Sequence, residues 1–158
     1  METRWPLYLH GAQGRGKSCL AALLYQVWPA RAVWYDVGEL LNQVKTCRRE
    51  GTVDVAGPDG RAFEFSEAAL FDRLANAGLL VLDDLGTRTP TDVDAEILTR
   101  AFNTRAGKPL IVTSNLKPDE LNIAFGARLA SRLLAGVPLC LVGSDRRLTD
   151  TRVVEVRA

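Results

Sequence analysis

The chain has 158 residues, of which 47% are hydrophobic and 25% are charged, so it holds enough apolar material for one core of ordinary size. Twenty basic residues against nineteen acidic ones give a formal net charge of +1, and this balance by itself indicates neither a nucleic-acid nor a membrane partner. The composition excludes a disordered chain and predicts a single domain over residues 1–158.

Short apolar runs alternate with helical periodicities along the whole chain, which predicts an α/β fold built on a largely parallel sheet. Five buried strands are predicted from their apolar composition and from the Gly, Asp or Ser that ends each run. They are Leu7–His10, Ala32–Tyr35, Leu79–Leu82, Leu110–Thr113 and Leu139–Val142. With helices between them, these strands predict a three-layer α/β/α arrangement.

Apolar residues recur at helical spacing between the strands. Leu20–Trp28 predicts the first helix, and Val93–Phe102 predicts another apolar helix face. Ser66 and Gly78 bracket a further helix as its N-cap and C′ residues would. The glycine-rich segment Gly51–Arg61 is typical of an exposed loop or a short hairpin.

The few cysteine and histidine residues argue against a zinc site, a redox motif or a histidine-ligated metal cluster. Cys19, Cys47 and Cys140 lack the close spacing of zinc or redox motifs, and His10 has no second histidine with which to form a metal cluster. The apolar stretch Ser18–Ala30 is too short to cross a bilayer. We therefore expect a cytoplasmic protein with no membrane partner.

The strongest motif is Gly11–Ser18, GAQGRGKS, which follows the first strand directly and matches the phosphate-loop pattern GxxxxGK[ST]. Its glycines let the backbone curl around an oxyanion and aim N–H groups at it. Lys17 is predicted to reach the β- and γ-phosphates, and Ser18 to ligate Mg²⁺. The predicted nucleotide-binding residues are Gly11, Ala12, Gln13, Gly14, Arg15, Gly16, Lys17, Ser18 and Cys19.

The predicted strand in Leu79–Gly86, LLVLDDLG, ends in two carboxylates. Phosphate-loop NTPases place such acids beside the metal and the attacking water. Asp83 is therefore predicted to serve the Mg²⁺ shell, and Asp84 to orient or deprotonate the water. The cofactors predicted by these motifs are ATP and Mg²⁺.

Two later features are ambiguous from the residues alone. Asn115 follows the fourth strand, at the sheet edge where parallel folds bind ligands, yet Ser-Asn is also an ordinary turn signal. Arg128 and Arg132, four residues apart, share one face of a predicted helix. Such a pair fits either an anionic partner or a solvated helix surface.

Taken in order, the segments GAQGRGKS, LLVLDDLG, IVTSNL, GARLASRL and GSDRRL resemble the motifs of the AAA+ core of DnaC-type helicase loaders and the related IstB transposition ATPases. The resemblance covers nearly the whole chain. It implies a P-loop NTPase fold of the ASCE type with no large C-terminal lid domain, and it implies ATP hydrolysis. It does not separate a replication role from a transposition role.

The resemblance also implies roles for individual residues. Asn115 corresponds to the sensor of the γ-phosphate, and Arg132 to an arginine finger that enters the neighbouring subunit's site, with Arg128 as the second choice. A homo-oligomer in the ATP-bound state follows from such a finger. Asp84 stands where many AAA+ proteins have glutamate, so turnover is expected to be slow and dependent on assembly.

Members of this group bind single-stranded DNA through a helical insertion after the second strand, a place that Leu40–Arg49 occupies here. Lys45, Arg48 and Arg49 are therefore predicted to contact the DNA backbone, although cations at a solvated helix end also complement the helix dipole. The implied role is in DNA replication with a replicative helicase as partner, or in transposition with a transposase. A nucleotide-dependent assembly module with little turnover is the alternative.

Overall fold

A computed structural model describes residues 4–56, 60–143 and 145. Its strands are β1 Leu7–His10, β2 Ala32–Asp36, β3 Thr52–Ala56, β4 Ala62–Ser66, β5 Leu79–Leu85, β6 Leu110–Ser114 and β7 Val137–Cys140. Five of them form a parallel sheet in the order β2-β5-β6-β1-β7. The predicted five-stranded parallel sheet is therefore confirmed.

The prediction was wrong about the bounds of the last strand, which was expected at Leu139–Val142 and instead runs from Val137 to Cys140. This strand lies at the edge of the sheet and is exposed along its length. Its ends are therefore not marked by the start and end of a buried apolar run, as those of the inner strands are. Pro138, which reads as a strand breaker, is tolerated there because an edge strand does not need every N–H donor.

The helices of the described residues are α1 Lys17–Gln26, α2 Val37–Glu50, α3 Glu67–Ala75, α4 Asp92–Thr104, α5 Pro118–Phe125 and α6 Ala127–Leu134. Three of them begin at a side-chain cap. The Asp36 carboxylate accepts from the Glu39 amide, Ser66 caps α3 as predicted, and Thr91 forms a capping box with Asp94.

Three details of the helix predictions were wrong. Helix α1 ends at Gln26 and does not reach Trp28. Helix α3 ends at Ala75 with Asn76 as its C-cap, so Gly78 is not the C′ residue. Gly78 is instead needed for close packing, because a Cβ there would lie 2.7 Å from the Cβ of Ala30. Val93 is 42% exposed and lies outside the buried face of α4.

The two faces of the sheet are covered unequally by the described helices. Leu9, Val81 and Ile111 pack on one face with α1, whereas alternate residues of the same strands pack on the other face with α2 to α6. This alternation follows from the period of two along each strand. The result is the expected three-layer arrangement, with the helix that follows the phosphate loop alone on its side among the described residues.

Strands β3 and β4 pair antiparallel as a separate hairpin between α2 and α3, which confirms the hairpin of the two alternatives for Gly51–Arg61. None of the described helices is long and apolar enough to cross a membrane. Residue 144 and residues 146–158, which include most of the GSDRRL motif and the place where a lid would follow, lie outside the described residues.

Candidate nucleotide-binding site

The segment between β1 and α1 has the backbone shape of a phosphate cradle. Gly14 and Gly16 have φ angles of 75° and 82°, in the left-handed region that glycine adopts without strain. A Cβ at Gly14 would lie 1.8 Å from a carboxylate oxygen of Asp145, so a side chain there would also displace that carboxylate. The loop therefore keeps its backbone accessible to an oxyanion.

Lys17 connects the two ends of this loop to the end of β6. Its side chain is buried, with 6% exposure, and Nζ donates to the carbonyl oxygens of Gly11 at 2.9 Å and Ala12 at 3.0 Å. Nζ also donates to Oδ1 of Asn115 at 2.7 Å. The predicted phosphate-binding cation and the predicted sensor are thus in direct contact.

The predicted metal ligands lie together as well. Ser18 Oγ donates to Oδ1 of Asp83 at 2.9 Å. A hydroxyl and a carboxylate are the hard oxygen donors that Mg²⁺ prefers. Within the described residues no group of three or more His, Cys, Asp or Glu side chains forms a complete metal cage. The donor set therefore fits an ion that takes its remaining ligands from phosphate oxygens and water.

Thr113 is a site residue that the sequence analysis missed. Its hydroxyl is fully buried, donates to Oδ1 of Asp83 at 2.5 Å and accepts from the backbone N–H of Asp84 at 3.0 Å. It thereby joins both predicted acids to β6. The available signal was a polar residue near the end of an otherwise apolar strand, two positions before Asn115.

Asp84 has an unusual backbone for a strand residue, with a φ angle of 61°. The pairing of β5 with β6 also shifts register between Leu82 and Leu85. A non-glycine residue in the left-handed region is uncommon, and such residues concentrate at functional sites. The backbone of Asp84, the residue after Asp83, therefore interrupts the regular alternation of side chains along β5.

The turn that carries Asn115 is fixed from two sides. Ser114 Oγ donates to the Leu85 carbonyl oxygen at 2.6 Å and accepts from the Leu116 N–H at 3.1 Å. The Tyr8 hydroxyl donates to the Leu116 carbonyl oxygen at 2.7 Å, and burial raises the pKa of Tyr8 to about 12. The hydroxyl therefore remains a donor at neutral pH, and Asn115 is held beside Lys17.

The two predicted finger residues lie away from this cluster. Both are on α6, where Arg128 is exposed and Arg132 is half-buried. Arg132 lies beside Pro6 and Leu110, at the starts of β1 and β6. The phosphate loop follows the opposite end of β1, about 13 Å away at about 3.3 Å per residue. The structure does not bring either arginine to this chain's own phosphate loop.

The three cations predicted to bind DNA are all ion-paired within the chain. Lys45 contacts Asp94 at 2.6 Å, and Arg49 contacts the adjacent Glu50 at 2.7 Å. Arg48 contacts two carboxylates, those of Glu67 at 3.0 Å and Glu96 at 2.9 Å. Arg49 is the most exposed of the three, at 71%. Helix α2 also packs its apolar face into the core, so it is a structural part of the domain.

Comparison with known proteins gives matches among solved structures only. No protein-family model matches the sequence, and no curated protein does. The DnaC helicase loader superposes with a TM-score of 0.70 at 22% identity, covering 86% of this chain and 77% of that one. DnaI gives 0.69 at 21% identity, with 90% and 74% covered. The replication initiator DnaA bound to AMPPCP and single-stranded DNA gives 0.70 at 19%, with 88% and 40% covered.

The chain has the fold of the AAA+ P-loop domains. The fold class implied by the sequence resemblance is thus confirmed, and the similar structures include a DnaC helicase loader, the type of protein that the resemblance named. The chain spans 40% of the DnaA chain and about three quarters of the DnaC helicase loader and of DnaI.

Proposed function

We propose that this AAA+ domain binds ATP with Mg²⁺ and hydrolyses it. The observation that carries the proposal is the pair of contacts between Lys17 and Asn115 and between Ser18 and Asp83. These contacts join the phosphate loop to the ends of two neighbouring strands. A γ-phosphate held by the loop would lie among a cation, an amide and two carboxylates, the groups that phosphoryl transfer requires.

Each side chain has a separate role in this proposal. Lys17 exchanges its carbonyl and amide acceptors for phosphate oxygens, and Asn115 then contacts the γ-phosphate or the attacking water. Ser18 and Asp83 hold Mg²⁺, which polarises the phosphate oxygens when bound. Asp84 orients the water, and Thr113 keeps the two acids in register by bonding to both.

Replacing Asp84 tests the hydrolytic part of the proposal. Asp84→Asn should bind ATP as tightly as the parent and turn it over at least about tenfold more slowly, because the amide cannot accept a proton. Calorimetry with ATP and a phosphate-release assay measure the two quantities. Equal turnover in the variant and the parent would remove Asp84 from the mechanism. Tight ATP binding with no parent turnover would favour an assembly module.

We further propose that Arg132 acts on the nucleotide of a neighbouring copy. Its place beside the starts of β1 and β6, at the far edge from its own phosphate loop, supports action in trans over action in cis. Arg128 is the second candidate on the same helix. An arginine finger contributes about 10³ to 10⁵ in rate in related chemistry, so isolated chains would turn over slowly.

A mixing experiment separates trans action from cis action. Arg132→Ala and Lys17→Ala should each be inactive alone, and a mixture should recover part of the activity. Recovery is expected because one interface then combines an intact phosphate loop with an intact finger. Arg128→Ala, four residues earlier on the same helix, discriminates between the two candidates, because this variant stays active alone if Arg132 is the finger. If sedimentation detects mixed oligomers and the mixture stays inactive, the trans assignment is wrong.

The wider role proposed is in DNA replication, with single-stranded DNA and a replicative helicase as partners. The support is the similarity to a helicase loader and to a DnaA structure bound to single-stranded DNA, together with the exposed Arg49 on α2. An IstB-like transposition role is the alternative. Measuring ATP turnover with and without single-stranded DNA, and then with a replicative helicase or a transposase added, discriminates between the two roles.

A further inference from the structure

The chain that follows β7 runs beside the phosphate loop and contacts it at two glycines. The N–H of Leu141 donates to the His10 carbonyl oxygen at 2.8 Å, which continues the pairing of β7 with β1. The Leu141 carbonyl oxygen then lies 2.4 Å from the position that a Cβ of Gly11 would take. Asp145 stands in the same relation to Gly14, with a carboxylate oxygen 1.8 Å from the Cβ position. This part of the chain therefore borders the proposed nucleotide site.

The second of these contacts brings a carboxylate group against the loop. Both carboxylate oxygens of Asp145 lie within 2.6 Å of the Cβ position at Gly14, so the group is in van der Waals contact with the Gly14 Cα. Gly14 has no side chain that would keep the carboxylate at a distance. Asp145 is also half-buried, so water and salt screen its charge less than that of a fully exposed group. A negative charge is therefore held beside a loop that is proposed to bind a negative ligand.

The other charges assigned to this site favour phosphate binding or are offset by a metal ion. Backbone N–H groups and the Lys17 ammonium attract an oxyanion, and the Asp83 carboxylate beside Ser18 shares the proposed Mg²⁺, whose charge offsets its own. Asp145 contacts the loop four residues before Ser18, at the middle glycine. Two unit charges about 7 Å apart, on either side of one backbone, repel measurably even at the dielectric constant of water. The Asp145 carboxylate therefore repels phosphate groups that the loop holds.

We propose that Asp145 is a residue of the nucleotide site and that its negative charge weakens the binding of both ATP and ADP. This inference rests on the proposed function, because it requires the phosphate loop to hold the nucleotide. Both ligands are affected because the loop surrounds the β-phosphate, which they share. Differences in affinity among variants of one site act mostly on the dissociation rate. The carboxylate therefore speeds the release of ADP after hydrolysis and the entry of a new ATP.

Three variants of the full chain test the sign of this effect. Asp145→Asn keeps the shape of the side chain and removes its charge, so calorimetry at low salt should show ATP and ADP binding about threefold to tenfold tighter than in the parent. Asp145→Glu keeps the charge and should bind both nucleotides within about twofold of the parent. Asp54→Asn removes the same charge from the exposed hairpin and should also bind as the parent does.

Salt separates a charge effect from a change in the shape of the loop. At about 1 M salt the screening length is about 3 Å, so the gain in Asp145→Asn should shrink toward the parent's affinity. A gain that persists at high salt, or that Asp145→Glu shares, would overturn the proposal, because the shape of the loop would then account for it. Equal or weaker nucleotide binding in Asp145→Asn, with ATP bound by the parent, would overturn this inference alone. ATP binding by neither the parent nor Asp145→Asn would overturn the proposed function as well.

Discussion

Cations of the phosphate loop and of helix α2 were both predicted to bind phosphate groups, but the structure surrounds them differently. Lys17 donates to three neutral oxygens, the carbonyls of Gly11 and Ala12 and the amide of Asn115. Lys45 instead contacts the buried carboxylate of Asp94. Exchange of those three neutral acceptors for phosphate oxygens gains a charge-assisted hydrogen bond at each, whereas the Lys45 ammonium must leave a carboxylate to bind a phosphate. Whether a cation can bind a phosphate group therefore depends on the side chains and carbonyl groups that it already contacts.

The largest effect is expected at the phosphate loop. Lys17→Ala should weaken ATP binding at least about 100-fold, because a charge-assisted hydrogen bond to phosphate is lost from a buried position. Lys108→Ala is the matched control, since Lys108 also donates to a carbonyl oxygen, that of Ala75, but on the exposed surface. Calorimetry should give the control an affinity within twofold of the parent. A similar loss of ATP affinity in both variants would mean that the position of Lys17 in the phosphate loop does not contribute to ATP binding.

The next effect concerns the contacts that hold the acids at this site. Thr113→Val removes the hydroxyl that serves Asp83 and the N–H of Asp84, so the free energy of unfolding should fall by about 1 to 3 kcal/mol. Turnover should fall at least about tenfold, because the acids lose their register. Thr104→Val, whose hydroxyl donates to the Ala101 carbonyl oxygen within α4, is the control. Urea titration and a phosphate-release assay measure both effects, and unchanged turnover in Thr113→Val would make this residue purely structural.

The α2 region should show its main effect in stability. Burial alone would raise the pKa of Asp94, but hydrogen bonds from Lys45 and Thr91 outweigh it and lower the pKa below the ordinary value of 3.8. A carboxyl with a lowered folded pKa stabilises the protein above the unfolded pKa and loses this contribution as the pH falls through the folded pKa. Asp94→Asn should therefore flatten the decline in stability below about pH 4.

The control for that measurement is Asp54→Asn, which makes the same change of charge on the exposed hairpin. Chemical denaturation between about pH 7 and pH 2 gives the free energy of unfolding for both variants. Asp94→Asn should also be less stable at neutral pH, by about 2 to 4 kcal/mol, since Lys45 loses its partner. A pH profile equal to the parent's would show that the ion pair does not stabilise the fold.

The smallest effect is expected in DNA binding by α2. If all three cations contacted phosphates, their replacement by alanine would flatten the log-log salt dependence of single-strand binding by about 2, at about 0.7 per contact. Because Lys45 and Arg48 are ion-paired to residues of other helices, we expect a change of about 0.7, which Arg49→Ala alone should reproduce. A change near 2 would mean that the ion pairs open on DNA.

Much of the fold could be predicted because its signals are local. Strands such as Leu79–Leu82 are continuous apolar runs, and glycines stand in the phosphate loop at the positions where the backbone turns into the left-handed region. The same reasoning misjudged Val137–Cys140, because an edge strand lacks the burial that makes a strand recognisable. The sequence predicted that Asn115 lies at the same edge of the sheet as the phosphate loop, because parallel strands end at one edge. It did not predict the direct contact between Lys17 and Asn115.

The remaining features depend on contacts between distant parts of the chain. Thr113 reads as an ordinary strand residue until β5 and β6 are paired, when its hydroxyl meets two acids. The ion pair between Lys45 and Asp94 joins residues 49 positions apart, and no local pattern indicates it. The partial burial of Arg132 likewise depends on how α6 packs against the sheet.

The left-handed backbone at Asp84 limits which residues can occupy that position. Aspartate and asparagine tolerate this conformation better than longer or branched residues, because their short polar side chains bond locally. A protein engineer who lengthened the acid to glutamate to extend its reach would therefore also strain the backbone between the two strands. Aspartate at this position therefore suits the shape of the chain as well as the water activation proposed for it.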